Sequence, residues 1–284
     1  MPYDYQLFDV VKNGRLANIT INAPPINIIT LEMYEELLAL SEELDTDPDL
    51  SVIVFKSADP DFFIAHFDVE LILSFPIEGP AERSTEPNPF HILCNRFRTM
   101  DKITIAQVEG RVGGGGNEIV SNMDMRFGVR DRTRINQMEI PLGILPGGTG
   151  TQNLPRIVGR ARAMEIILSG EDIDAETAER WGYLNRIYDA DEIDDKVAAL
   201  ATKIASYPIE AVRLGKQSVD NASGAPEAGL LDEAWHFQKL IRTDAARENM
   251  QKFLEIGGQT RTGELQVDKL AASLNGLGLK DREV

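Results

Sequence analysis

Along this chain of 284 residues the spacing of apolar positions changes character part-way. The first half is built from short β-rich runs that alternate with helical stretches. Residues 5–11 and 16–21 are two such runs, joined through Lys12-Asn13-Gly14-Arg15, and Asn-Gly is a strong hairpin signal. The Pro24-Pro25 pair then breaks the chain. Thr30 suits the N-cap of a helix reaching about Leu44, with Met33, Tyr34, Leu37, Leu38 and Leu44 on its apolar face. Residues 51–56 read as a buried strand, Phe62-Phe63-Ile64-Ala65 as a short extended run, and Asp68 as the cap of another helix. Residues 75–90 carry Pro, Gly, Ser and charge and predict a mobile surface loop, a lid or an insertion. A helix over 90–100, a strand over 103–108, a glycine-rich turn, a helix from about Gly116, and strands over 125–129 and 134–140 follow. From Gly148 onward the pattern turns helical: about 149–154, 159–168, 174–180, 190–205, 208–221, 226–242 and 244–255. Residues 257–284 have mixed composition and read as an arm or a frayed tail. The fold class is therefore α/β, with a helical C-terminal region.

Charge narrows the range of partners. Acidic residues outnumber basic ones 46 to 29, a net charge of −17, so the basic footprint of a nucleic-acid-binding protein is missing. An anionic membrane surface is disfavoured for the same reason. Much of the excess lies in residues 171–195, the pattern of a solvated, helix-rich surface. Cys94 is the single cysteine, which precludes an intrachain disulfide and fits a reducing, cytoplasmic location. With three histidines besides, little remains for a transition-metal site. The N-terminal residues lack the apolar core of a signal peptide, and no run is long and apolar enough to span a bilayer.

Two glycine segments carry the candidate chemistry. Gly110-Arg111-Val112-Gly113-Gly114-Gly115-Gly116 follows a β-rich run and opens a helix. The second is Gly143-Ile144-Leu145-Pro146-Gly147-Gly148-Thr149-Gly150. Neither fits G-x-G-x-x-G, so a dinucleotide site is unsupported, and Thr149 stands where a phosphate-binding P-loop needs Lys. Each segment alone could be a tight strand-to-helix turn with no ligand. Each could equally bring backbone N–H groups and a positive helix end close to an anion, or to an oxyanion that develops during a reaction. Glu118 follows Gly115 by three residues, and Glu139 lies just before the second segment, so two carboxylates accompany the glycines.

Taken together these residues resemble the crotonase (enoyl-CoA hydratase/isomerase) superfamily, from about residue 5 to about 255. The specific stretches are Ala106-Gln107-Val108-Glu109-Gly110 through Gly116-Asn117-Glu118, Gln137-Met138-Glu139, and Pro146-Gly147-Gly148-Thr149-Gly150-Thr151-Gln152-Asn153-Leu154. Ala163-Met164-Glu165, Leu168-Ser169-Gly170 and Trp181-Gly182 extend the likeness. The resemblance implies a spiral of ββα units forming two near-perpendicular sheets over residues 1–200, carrying an acyl-CoA site. It further implies a helical trimerisation region over 201–284, a homo-oligomer (trimer or dimer of trimers), and no cofactor other than coenzyme A as part of the substrate. Glu118 and Glu139 are the implied catalytic pair. The backbone N–H groups of Phe67 and Gly115 are the implied oxyanion hole. Pro25, Ala65, Asp68, Gly114, Met138, Leu142 and Gly147 are the implied substrate-binding positions.

Several positions depart from the family pattern. Ala65-His66 stands where Ala-Gly is usual, Phe67 is bulkier than the common Ala, and Asn117 replaces a small residue. Met138 replaces a frequent Pro, and Ala23-Pro24-Pro25-Ile26 offers no cation for coenzyme A phosphates. His66 reads as either a packed structural residue or a general base. His91 and His236 read as surface or interface residues, and Trp181 and Trp235 as packing residues. Three functions follow in order: hydration or dehydration of an enoyl-CoA thioester, double-bond isomerisation, and a non-catalytic acyl-CoA-binding subunit.

Overall fold

The computed structural model describes residues 3–223 and 227–274. In chain order its elements begin with β1 (Phe8–Asn13), β2 (Leu16–Ile21), α1 (Leu31–Thr46), β3 (Val52–Ser57), β4 (Phe62–Ile64), α2 (Val69–Leu73) and α3 (Pro89–Thr99). Next come β5 (Ile103–Val108), β6 (Arg111–Gly113), α4 (Gly114–Ser121), β7 (Met125–Val129), β8 (Arg134–Asn136), α5 (Gly150–Val158) and α6 (Arg160–Ser169). The chain continues through β9 (Ile173–Asp174), α7 (Ala175–Trp181), β10 (Arg186–Tyr188), α8 (Ile193–Ala205), α9 (Ile209–Ser223) and α10 (Glu227–Leu240). It ends with α11 (Asp244–Glu255), α12 (Arg261–Glu264) and α13 (Val267–Ser273).

Two sheets share the strands in a regular way. One has the order β1-β2-β3-β5-β7-β10 and the other β4-β6-β8-β9. Three times in succession the chain runs one strand in the large sheet, one in the small sheet, then a helix, which is a ββα spiral. Within the large sheet β2, β3, β5, β7 and β10 are parallel, and β1 closes it antiparallel to β2. Parallel strands are buried on both faces, and β3 shows this in its continuous run Val52-Ile53-Val54-Phe55, all buried. The β1–β2 hairpin turns at Gly14-Arg15, one residue beyond the Asn-Gly step, because Asn13 pairs with Leu16 and Gly14 takes the positive φ of +59°.

Thr30 caps α1 as its position predicts, accepting the Met33 N–H, while Met33, Leu37, Leu40 and Leu44 enter the core. Asp68 likewise caps α2 by accepting the Glu70 N–H. Other boundaries differ. The helix after the first glycine segment starts at Gly114, two residues early, because Gly113 has no side chain to compete and sits extended as the N-cap. The strand expected over 134–140 stops at Asn136, where the chain turns to bring Glu139 inward. The C-terminal residues correct the expected arm. As far as Leu274 they fold back as α12 and α13, and Val267, Ala271 and Leu274 are buried. They join α2, α11 and Met138, Leu142 and Ile144 in a second apolar cluster apart from the main core. Residues 275–284 lie outside the described residues. Among the described residues no helix is long and apolar enough to cross a membrane.

Candidate active site

Both glycine segments meet at one cavity of about 840 Å³. Phe67, Gly115, Glu118, Glu139, Gly147 and Gly148 line one part of it. Leu31, Tyr34, Phe75, Phe90, Trp235 and Phe237 supply an apolar and aromatic remainder, and residues from Pro76 to Ser84 form part of the rim.

The α4 start is a backbone device. The first N–H groups of a helix have no partner inside it, and Gly113 brings no side chain to cap them. Gly114 is held at φ +44°, and a Cβ there would lie 3.0 Å from Glu139 Oε1 and 3.1 Å from His66 Cβ. Only glycine fits between those two groups. A Cβ on Gly115 would lie 3.0 Å from Phe67 Cβ and 3.5 Å from Phe67 N, so the two backbones run side by side.

Phe67 is oriented by its neighbour across a β-bridge. Ile29 N–H donates to His66 O at 2.9 Å, and Asp68 N–H donates to Ile29 O at 3.1 Å. A trans peptide directs its C=O and N–H oppositely, so with His66 O turned to Ile29 the Phe67 N–H points away from it. The Phe67 ring packs edge-on against Phe90, 5.4 Å between centroids, and Phe90 in turn meets Tyr34.

The two glutamates differ in their surroundings. Glu118 Oε1 accepts three backbone N–H groups, from Gly148, Thr149 and Gly150, each at 2.8 Å. The α5 N-terminus thus points at this carboxylate, and three donors on one oxygen suit the ionised form. Glu139 is buried, and its Oε2 has no hydrogen-bond partner. Burial, then the charge of Glu118, push its carboxyl up to about 8. Hydrogen bonds from its own backbone and Gln137, and the nearby His66, offset only part of this. Burial and the Glu118 charge thus favour a proton on Glu139, and the three N–H donors favour charge on Glu118, an arrangement suited to taking one proton and giving another.

Comparison with known proteins agrees with this geometry. The enoyl-CoA hydratase/isomerase family model matches residues 11–260. The chain belongs to that family. A Mycobacterium leprae protein named a probable enoyl-CoA hydratase is 33% identical over 257 residues, covering 90% of this chain and 96% of the relative. A short-chain-enoyl-CoA hydratase of Clostridium acetobutylicum is 30% identical over 250 residues, covering 86% and 93%. A crystal structure assigned as an enoyl-CoA hydratase of Streptomyces avermitilis superposes with a TM-score of 0.87 at 34% identity, covering 96% of this chain and all of that one. The two-sheet spiral with its C-terminal helices is the crotonase fold.

Of the positions that the family likeness implied, Glu118, Glu139, Phe67, Gly115 and Gly147 line the cavity. The others do not line it. Gly114 separates Glu139 from His66, and Met138 and Leu142 are buried in the second apolar cluster. Ala65 packs with Ile26 and Phe62. Asp68 caps α2 and accepts from Gln259 Nε2 at 2.9 Å. The Pro25 carbonyl accepts from Arg261 Nη1 at 3.2 Å. Asn117, unusual for the family, is buried in a polar group: its amide donates towards Asn136 O and Gln137 Oε1, and its oxygen accepts the Tyr183 hydroxyl.

Two aromatic or imidazole residues change role. His91, expected at the surface or an interface, is fully buried within the chain at the third position of α3. Its Nδ1 accepts the Asn88 N–H, and its ring hydrogen-bonds the Gly147 backbone. Burial pushes it down to about 4, so it is neutral and serves to hold the Gly147 turn. Trp235, expected as a packing residue, lines the cavity. His236 is exposed, as expected. His66 is buried, with Glu264 opposite its ring, a contact from the C-terminal segment that no local pattern signals. Among the described residues no group of three or more His, Cys, Asp or Glu side chains is placed to hold a metal ion.

Proposed function

We propose that this protein catalyses reversible addition of water to the double bond of an enoyl-CoA thioester. The observation that carries the reading is the pair Glu118 and Glu139 lining one cavity with Gly115 and Phe67, Glu118 ringed by N–H donors and Glu139 buried with its titration raised. The thioester oxygen is received by the Phe67 and Gly115 N–H groups. Glu118 accepts a proton from water as the water oxygen bonds to the β-carbon. Electrons of the double bond move toward the thioester carbonyl, and the enolate oxygen gains charge where the two N–H groups are already aimed. Glu139 gives its proton to the α-carbon. The product gains H at one carbon and OH at the other, Glu118 ends protonated and Glu139 ionised, and exchange with solvent resets them.

The apolar walls from Tyr34, Phe90, Trp235 and Phe237 suit the acyl chain. Coenzyme A enters only as part of the substrate, with no further cofactor or metal. The proposed setting is cytoplasmic, in fatty acyl metabolism. A homo-oligomer of threefold symmetry, trimer or dimer of trimers, is the proposed assembly. It is supported by the apolar residues Leu214 and Val219 of α9, which are 52% and 70% exposed. The test of function is hydration of enoyl-CoA thioesters of graded chain length, followed by loss of absorbance of the conjugated thioester and product analysis. Turnover to the 3-hydroxyacyl product supports the reading. Tight binding with no turnover across the series, or a shifted double bond as sole product, contradicts it.

A further inference from the structure

We propose that His66 and Glu264 form a charged positioning pair that fixes the Phe67 oxyanion donor and makes the C-terminal segment part of the active site. The inference rests on the oxyanion reading given above and deepens it. His66 Nδ1 lies 2.8 Å from Phe67 O, and Nε2 lies 3.0 Å from Glu264 Oε1. A carbonyl and a carboxylate oxygen are both acceptors. Nδ1 therefore donates to the carbonyl, while Nε2 faces the carboxylate at ion-pair distance without an aligned hydrogen bond, and the ring form that suits both oxygens is the imidazolium.

The surroundings fit that charge. Burial opposes it, but the Glu264 carboxylate and the Phe67 carbonyl outweigh burial and raise the imidazole above its ordinary range. The other acid facing His66 is Glu139, and the Phe253 ring packs edge-on at 6.0 Å. Glu264 is fully buried and is itself held below the usual carboxylate range: burial opposes, while His66, the Gln259 N–H at 2.6 Å and Arg111 of β6 prevail. A buried ion pair with both partners engaged is costly to break from one side, because the survivor is left charged and unpaired.

What the pair holds is the turn that carries Phe67. Ile29 grips this turn on one side through His66 O and Asp68 N. The C-terminal segment grips it on the other. Gln259 Oε1 accepts the Val69 N–H at 2.6 Å, and Gln259 Nε2 donates to Asp68 Oδ1 at 2.9 Å. Arg261 pairs with Asp59 and Asp61. A glycine at position 66 would leave the Phe67 carbonyl without the imidazole donor. His66 instead ties the peptide after Phe67 to a residue far along the chain.

The experiment begins with the unaltered protein. With only three histidines, ¹⁵N-imidazole spectra resolve His66 from exposed His236 and from His91, which is neutral. The expected result is a His66 ring protonated on both nitrogens at pH 7 and titrating above the ordinary imidazole range. A His66 ring neutral across pH 5–8 overturns the proposal. The second measurement is the ultraviolet red shift of bound hexadienoyl-CoA, which reports polarisation of the thioester carbonyl. Glu264→Gln should reduce that shift and lower kcat by roughly tenfold to a hundredfold, the scale of a small misplacement at a reacting centre, with KM little changed. Its kcat profile should also gain a new decline toward neutral pH, as an unsupported His66 loses its proton. Glu264→Asp, which keeps the charge, should restore part of kcat and of the red shift. A red shift and pH profile identical in the parent and Glu264→Gln overturn the pair while leaving the oxyanion hole intact. A parent enzyme that binds hexadienoyl-CoA with no red shift overturns the oxyanion reading, and the pair's role with it.

Discussion

Glu118 and Glu139 share a cavity but not their hydrogen-bond donors, and the difference decides where a proton is favoured. Glu118 takes three N–H groups from the α5 start, whereas Glu139 Oε2 is buried with none and feels the Glu118 charge. This asymmetry assigns roles. The ionised partner is the base toward water, and the protonated one is the acid toward carbon.

The first prediction is a pH profile. Hydration requires Glu139 to hold its proton, so kcat for hydration should fall as pH rises through about 8. Dehydration uses the other tautomer of the same singly protonated pair, and the overall equilibrium takes up no proton, so the reverse rate should fall over the same rise. Initial rates in both directions from pH 6 to 10 check this. Rates that stay level through pH 8 in both directions would show that Glu139 is not the acid whose proton the reaction needs.

The second prediction concerns the pair as a unit. Glu118→Gln and Glu139→Gln preserve shape and should each lower kcat by roughly 10²–10⁴, the worth of a positioned acid or base. Because both act on one water and one double bond, the double variant should lose far less than the product of the two losses. An isomerase would behave otherwise, with Glu118→Gln mild and Glu139→Gln severe. Steady-state kinetics on the same enoyl-CoA separates the two outcomes.

Much of this site is legible in the chain because its parts are local. The glycines, the carboxylates beside them and the caps Thr30 and Asp68 each depend on neighbours a few residues away. The unread parts depend on contacts distant in sequence. Glu264 looks like any acid in a segment of mixed charge until folding sets it against His66. His91 looks like a surface histidine until Asn88 and Gly147 enclose it. β9 and β10 have two and three residues, too short for any period to register, and exist because β8 and β7 offer them an edge. The loop before α3 reads correctly as a loop, yet nothing local in its sequence signals that it lines the cavity together with residues of α10.

A third prediction compares two glycines. A Cβ on Gly148 would lie 2.5 Å from Glu118 Oε2 and 2.4 Å from Phe90 Cε1, so Gly148→Ala must displace the base or the aromatic wall. A loss of about 10²-fold in kcat is expected from such a displacement. Gly215 lies within α9, and a Cβ there meets nothing within 4 Å. Gly215→Ala should leave kcat unchanged and raise stability by about 0.5–1 kcal/mol through helix propensity. Thermal melts and kinetics on both variants test the contrast. Equal activity in the two would mean that Gly148 does not shape the site.

The last prediction links the Glu139 carboxyl to stability. In the unfolded chain this group titrates near 4.5, whereas in the folded protein it holds its proton to about 8. Between those values the folded state binds a proton that the unfolded state has released. Stability must therefore fall as pH rises across that window, and level off above it. Gln at position 139 carries no titrating proton and escapes this loss. The variant and parent should be similar in stability near pH 4, and Glu139→Gln should gain steadily toward pH 8. Every pH unit separating the two titrations is worth about 1.4 kcal/mol, so the gain above pH 8 is at most ~5 kcal/mol. Coupling to Glu118 and relaxation around the new charge reduce it below that ceiling. Urea unfolding at pH 4.5, 6.5 and 8.5 measures the difference directly. The same substitution that removes the proton donor should thus make the protein harder to unfold at alkaline pH, the mark of a group kept in a costly state for its chemistry. A stability difference that does not change with pH would show that Glu139 titrates in its ordinary range, and would remove the basis for calling it the acid.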